Sequence, residues 1–186
     1  MQLKITGGRY KGKKLKTNKN AQLRPTTEKI RLAIFSILGN DFFNNINVLE
    51  LYAGTGIVGI ESLSRGANWV DMVEIKPEIV KEIKNNLSNL MIINKANIKL
   101  GDSIKSLNSF DTKYKLIFAD PPYNSFRPRE LIESINNHNI LDKNGVLIIE
   151  HKRQLNIEAQ YKEIKCISTR KYGDSAISIF KKELNG

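Results

Sequence analysis

Val48-Leu49-Glu50-Leu51-Tyr52-Ala53-Gly54-Thr55-Gly56, running on through Ile57 to Arg65, reads as a strand, a glycine turn and a helix. Gly54 and Gly56 let the backbone approach a ligand closely, and the amino terminus of the following helix offers free N–H groups to a polar or anionic group. Gly54, Gly56 and Gly59 also satisfy the Gly-x-Gly-x-x-Gly spacing of dinucleotide sites, so a nicotinamide-dependent dehydrogenase stands as a rival. A tight turn with no ligand is the plainer alternative.

Further along, acids recur where apolar runs stop. Glu74 closes Trp69-Val70-Asp71-Met72-Val73, about twenty residues after the glycines, where a carboxylate reaches ribose hydroxyls. Asp102, in Gly101-Asp102-Ser103 after Ile98-Lys99-Leu100, is placed either to accept from an adenine amine or to cap a helix from Ile104 onward. Leu116-Ile117-Phe118-Ala119 runs straight into Asp120-Pro121-Pro122-Tyr123. Its prolines fix φ and withhold N–H groups, so the Asp120 and Pro121 carbonyls can face a ligand as acceptors while Tyr123 stacks on a flat ring. Taken alone, that turn could equally end a buried strand. Together, Glu50, Glu74, Asp102 and Asp120 mark the carboxyl edge at which open α/β sheets bind ligands.

With these residues in place the chain resembles the class I S-adenosylmethionine-dependent methyltransferases, and Asp120-Pro121-Pro122-Tyr123 resembles the motif of those acting on exocyclic amines of nucleobases. Ile5 to Leu15, Leu23-Arg24-Pro25-Thr26-Thr27-Glu28-Lys29-Ile30-Arg31 and Glu61 to Ala67 are similar to segments of the bacterial 16S ribosomal RNA guanine methyltransferases of the RsmD type, a likeness that covers nearly the whole chain. The resemblance implies methylation of a guanine 2-amino group in 16S ribosomal RNA of the small subunit, with S-adenosylmethionine as donor. It also implies a Rossmann-like doubly wound sheet of seven strands, order 3-2-1-4-5-7-6, with only the last strand antiparallel. Asp120, Pro121, Pro122 and Tyr123 are then the catalytic residues, and Glu50, Tyr52, Ala53, Gly54, Thr55, Gly56, Glu74, Ile75, Asp102, Ser103 and Asp120 the cofactor-binding ones. Two positions depart from the pattern: Leu32 stands where the family often has an acid, and Tyr52 where many wider relatives have glycine.

Charge locates the expected RNA contact. The chain has 186 residues, one domain's length, and a net charge of +11. Residues 1 to 31 hold ten Lys or Arg against one acid, a balance of +9 that leaves +2 for the rest. We read residues 1–26 as a basic RNA-binding extension and 27–186 as the methyltransferase domain. Leu3, Ile5, Tyr10 and Leu15 suit a short β-hairpin, followed by a turn at Arg24-Pro25-Thr26. Thr26 or Thr27 would cap a helix whose apolar face uses Ile30, Ala33, Ile34, Ile37 and Leu38, laid over the cofactor end of the sheet. Arg9, Lys11, Lys13, Lys14, Arg24 and Arg31 are the expected RNA contacts there, joined by Arg127 and Arg129 after the Asp-Pro-Pro-Tyr turn.

The remaining elements are a helix from Pro77 to about Leu90, another over Phe126 to Asn139, a buried strand Val146 to Glu150, and a closing pair over Lys162 to Ser168 and Ala176 to Lys182. Cys166 is the single cysteine and belongs to a strand, while His138 and His151 lack ligand spacing, so no metal is expected. No apolar run reaches membrane-spanning length, which points to a cytoplasmic protein, taken to be a monomer. Two other functions fit the same motifs: an adenine-N6 methyltransferase acting on RNA or DNA, and a non-catalytic RNA-binding factor in ribosome assembly.

Overall fold

The computed structural model describes residues 3–17, 28–123 and 126–183. Its frame is an eight-stranded sheet built from β1 (Asn47–Leu51), β2 (Trp69–Glu74), β3 (Ala96–Leu100), β4 (Tyr114–Ala119), β5 (Leu141–Lys152), β6 (Gln160–Tyr161), β7 (Ile164–Tyr172) and β8 (Ser175–Lys182). The order is β3-β2-β1-β4-β5-β8-β7-β6. The first five strands pair in parallel, and β8 runs antiparallel between β5 and β7. The crossovers put helices on both faces, which is why the central strands read as continuous apolar runs.

Alternation along each strand sorts side chains into two cores. Val48, Leu116, Phe118 and Ile148 join a cluster covered by α1 (Glu28–Leu38), α2 (Ile57–Arg65) and α3 (Pro77–Asn89). Leu49, Leu51, Ile117 and Leu147 face the other way, against Leu131, Ile132 and Ile135 of α4 (Pro128–Asn137). Pro77 opens α3 at the position where a missing N–H goes unnoticed, and Gly66, at φ 118°, turns the chain out of α2 towards β2.

The strand order matches the expectation, with one correction. A two-residue β6 pairs antiparallel with the outer edge of β7, so the sheet has eight strands rather than seven among the described residues, and two of them oppose the main direction. The buried ring of Tyr161 meets Phe180 at a centroid distance of 6.2 Å, and this anchor draws the segment along the edge. Two residues are too few for alternation to be visible in sequence. The closing hairpin is also longer than expected, with the turn confined to Gly173 and Asp174.

The amino-terminal segment forms a rudimentary antiparallel ribbon. The N–H of Ile5 bonds the Lys13 carbonyl at 3.0 Å and that of Leu15 the Leu3 carbonyl at 2.9 Å, around a single bridge between Lys4 and Lys14. Ile5 and Leu15 are buried in the same core as α1 and α2, so the ribbon packs as part of the sheet's flank. Arg24, the Arg24-Pro25-Thr26 turn and the Thr26 or Thr27 cap lie outside the described residues.

Candidate active site

Strand register alone assembles the site. Glu50 of β1 lies beside Met72 of β2 and Phe118 of β4, and Ala119 lies beside Ile149 of β5. By the same alternation, Glu74, Asp120 and Glu150 emerge together above Glu50 at the carboxyl edge. They border a cavity of about 850 Å³, a size that suits a small-molecule site. Of the residues expected to hold a cofactor, Glu50, Tyr52, Ala53, Gly54, Thr55, Glu74, Ile75, Asp102, Ser103 and Asp120 line it, as do Pro121, Pro122 and Tyr123. Gly56 does not. A Cβ on Gly56 would press on Ile83 and the Met72 sulfur at 3.1 to 3.2 Å, and its φ is 67°, so its role is to let α2 start close against α3 and β2.

The acids are fixed by backbone donors. Glu50 is 2% exposed and accepts the N–H groups of Val58 at 3.3 Å and Gly59 at 2.8 Å. Burial pushes its pKa up to about 8, with the two N–H bonds pulling the other way and Asp120 and Glu74 adding to the rise. The Val58 and Gly59 N–H groups at the start of α2 are thus turned to Glu50, which weighs against a pyrophosphate at these two donors. Glu74 accepts from the N–H of Gly54 at 2.8 Å and of Lys76 at 3.0 Å, one bond to each oxygen, which leaves lone pairs for ribose hydroxyls. Asp102 does cap the following turn, through Lys105 N–H to Oδ1 at 2.9 Å, yet it is exposed and borders the cavity, which leaves its second oxygen for a ligand. Ser103 Oγ accepts the Tyr52 N–H at 2.9 Å and holds that residue at φ 56°, a conformation glycine adopts more readily. Ile75, 63% exposed at the cavity wall, offers an apolar surface to a flat ring.

Tyr123 is fixed from behind. Its hydroxyl lies 2.7 Å from Ser175 Oγ and 3.3 Å from Glu150 Oε1, and the Lys152 ammonium sits 6.0 Å from the ring centroid. Sequence reasoning missed Glu150, Lys152 and Ser175. The signal for Glu150 was present, since it ends an apolar run as Asp120 does; Ser175, on the returning β8, carries none.

The expected RNA contacts divide. Arg9, Lys11, Lys13 and Lys14 are exposed on the ribbon. Arg31 is a correction: it is wholly buried, with Nε 3.5 Å from Glu61 and Nη2 donating to the Lys4 carbonyl at 2.8 Å, so it ties the ribbon to α2 and cannot reach a phosphate. Burial pulls its pKa below the usual arginine value against the opposing pull of Glu61. No described residue of α1 lines the cavity, so that helix flanks α2 rather than lying over the cofactor end. Arg127 lines the cavity, whereas Arg129 is exposed and ion-pairs with Glu133 at 2.7 Å and Glu158 at 2.6 Å. Among the described residues no cluster of His, Cys, Asp or Glu could hold a metal ion, and no helix is long and apolar enough to cross a membrane. His151 is buried between Ser178 Oγ and the Lys152 carbonyl, and Cys166 is half-buried in β7.

Comparison with known proteins places this geometry in a wider setting. Residues 3–181 match the family model described as "Conserved hypothetical protein 95". The chain is 29% identical to "Putative rRNA methyltransferase YlbH" of Bacillus subtilis over 97% of its own length and 99% of the relative's. It is 32% identical to "Ribosomal RNA small subunit methyltransferase D" of Escherichia coli, over 80% of this chain and 71% of that one. The solved Escherichia coli structure named "Putative methyltransferase yhhF" shares the fold, with a TM-score of 0.88, 23% identity and coverage of 98% and 99%.

Proposed function

Since the chain belongs to the family described as "Conserved hypothetical protein 95", we propose that it is a ribosomal RNA methyltransferase that transfers a methyl group from S-adenosylmethionine to the 2-amino group of a guanine in 16S ribosomal RNA. The observation that supports this most is the convergence of Glu74, Asp102 and the Asp120 to Tyr123 turn on one cavity. S-adenosylmethionine, when bound, supplies a methyl group made electrophilic by its sulfonium. The residues present fit it: Glu74 has lone pairs for ribose hydroxyls, Asp102 an open oxygen for an adenine amine, Ile75 an apolar face for the adenine ring, and Gly54 at φ 51° leaves room beside the chain.

The chain's own part is to orient the target amine. Asp120 accepts one amine hydrogen through its carboxylate, and the Pro121 carbonyl accepts the other, which turns the nitrogen lone pair outward and offsets the positive charge that develops on nitrogen. Pro122 keeps that carbonyl from rotating into a sheet. Tyr123, braced by Ser175 and Glu150, stacks on a base swung out of its helix, since a stacked base cannot enter a pocket at a strand end. Exposed cations of the ribbon hold RNA phosphates, and Arg127 meets the strand near the pocket.

Mass mapping of methylated nucleosides in 16S ribosomal RNA from cells with and without this protein tests the reading. Loss of one 2-methylguanine is the expected result. Loss of a 6-methyladenine would replace guanine with adenine as substrate, and an unchanged map would favour an assembly role.

A further inference from the structure

Glu150 occupies on β5 the place that Asp120 occupies at the end of β4: Ala119 and Ile149 are register partners, and each acid follows next. It is 3% exposed and lines the cavity beside Pro121, Pro122 and Tyr123. The Tyr123 hydroxyl donates to Glu150 Oε1 at 3.3 Å and lies 2.7 Å from Ser175 Oγ, so Glu150 holds the ring through one oxygen of a group that has several acceptor sites.

Resting on the guanine reading of this same site, we propose that Glu150 discriminates the base by accepting the N1–H of guanine. Guanine carries N1–H next to its 2-amino group, so two donors point the same way along one edge; adenine carries an amine next to an acceptor nitrogen. Adjacent strands lie about 4.8 Å apart, a spacing at which two neighbouring acids can each meet one of two neighbouring donors. Asp120 then takes the amine and Glu150 the ring N–H. A base with an acceptor at N1 would bring a lone pair against a carboxylate oxygen and leave both without a proton to share, a mismatch that a buried site punishes more than water does.

The test uses single-turnover methylation of small-subunit RNA carrying either guanine or 2-aminopurine at the mapped position. 2-Aminopurine keeps the reacting amine and has an acceptor at N1. The wild-type protein should prefer guanine by about ten- to a hundredfold, the range for one charge-assisted hydrogen bond. Glu150→Gln, whose amide can donate to that acceptor, should bring the ratio close to one, and Tyr123→Phe should slow both substrates and leave the ratio as in the wild type. If Glu150→Gln slows both substrates equally and keeps the wild-type ratio, Glu150 only positions Tyr123 and the proposal is overturned. Calorimetric binding of S-adenosylmethionine reports whether Glu150→Gln is folded; should it fail, Glu150→Asp, which withdraws the carboxylate, must lower the ratio, and an unchanged ratio overturns the proposal. A wild-type protein that methylates an adenine amine and no guanine would instead sink the guanine reading itself, and this proposal with it.

Discussion

The carboxyl edge of the sheet and the amino-terminal ribbon handle charge in opposite ways. At the edge, Glu50, Glu74 and Asp102 each accept backbone N–H groups from the turn beside them, so their positions are set by main chain. On the ribbon, Arg9, Lys11, Lys13 and Lys14 are exposed, and the segment is moored by a buried network on Glu61. That carboxylate receives the Thr6 N–H at 3.1 Å, the Thr6 hydroxyl, and the guanidinium groups of Arg65 at 2.7 Å and Arg31 at 3.5 Å. Fixed acids suit reading one small molecule atom by atom, whereas exposed cations on a moored platform suit a polyanion whose phosphates repeat.

Four measurements can break or sharpen that contrast. The largest effect is expected from Glu61→Ala, which strands Arg31, whose Nε and Nη1 already lack hydrogen-bond partners among the described residues. Breaking one partner of a buried pair should lower unfolding stability by about 3–5 kcal/mol in urea titrations. Hydrogen exchange at Ile5 and Leu15 should rise with it, and unchanged protection there would mean the ribbon is held by something else. Next, Asp120→Ala should reduce single-turnover methyl transfer by about a hundred- to a thousandfold while S-adenosylmethionine binding stays nearly the same. Asp120→Asn separates the causes, since an amide keeps an acceptor oxygen and loses the charge; equal rates in both variants and the wild type would take Asp120 out of the chemistry.

Glu74→Ala should weaken S-adenosylmethionine binding by about ten- to a hundredfold, from loss of one charge-assisted hydrogen bond. Calorimetry that finds tight NADH binding and none for S-adenosylmethionine would reverse the cofactor assignment. The smallest effect per residue belongs to the ribbon. Replacing Arg9, Lys11, Lys13 and Lys14 by Gln should flatten the log–log salt dependence of RNA binding by about 0.7 to 0.9 for each phosphate that is no longer neutralised, with cofactor affinity unmoved. A wild-type slope in that variant would transfer RNA capture to Arg127 and the pocket rim.

The fold was legible because its signals are local. Gly54 and Gly56 announce a turn between strand and helix, Pro77 opens a helix, and the acids ending apolar runs mark one edge, each within a few residues. What escaped depends on partners distant in sequence. Arg31 looks like any basic residue of an arm, and its burial is decided by Glu61, thirty positions on, and by the Lys4 carbonyl. Glu150 shares the strand-end pattern of Asp120, but its place in the site follows only once β4 and β5 are known to be neighbours. Ser175 reaches Tyr123 through an antiparallel return that no motif spells out. β6 is two residues paired with β7, and its Tyr161 ring packs on Phe180, a contact that no local pattern announces.

The mooring of the ribbon also sets a length. Helix α2 leaves the carboxyl end of β1 and returns to the start of β2, so Ser64, in its last turn, stands near the opposite edge of the sheet from the cavity. The ribbon's turn is pinned there, with the Arg9 N–H on the Ser64 carbonyl at 2.7 Å and the Tyr10 N–H on its hydroxyl at 2.9 Å. A five-residue strand such as β1 spans about 17 Å, so the pocket and the backbone of the ribbon's turn lie roughly a sheet's height apart. On the proposed function the protein would act as a gauge: a short oligonucleotide would fill the pocket without reaching the ribbon's turn, and a folded RNA that bridges both edges would engage both.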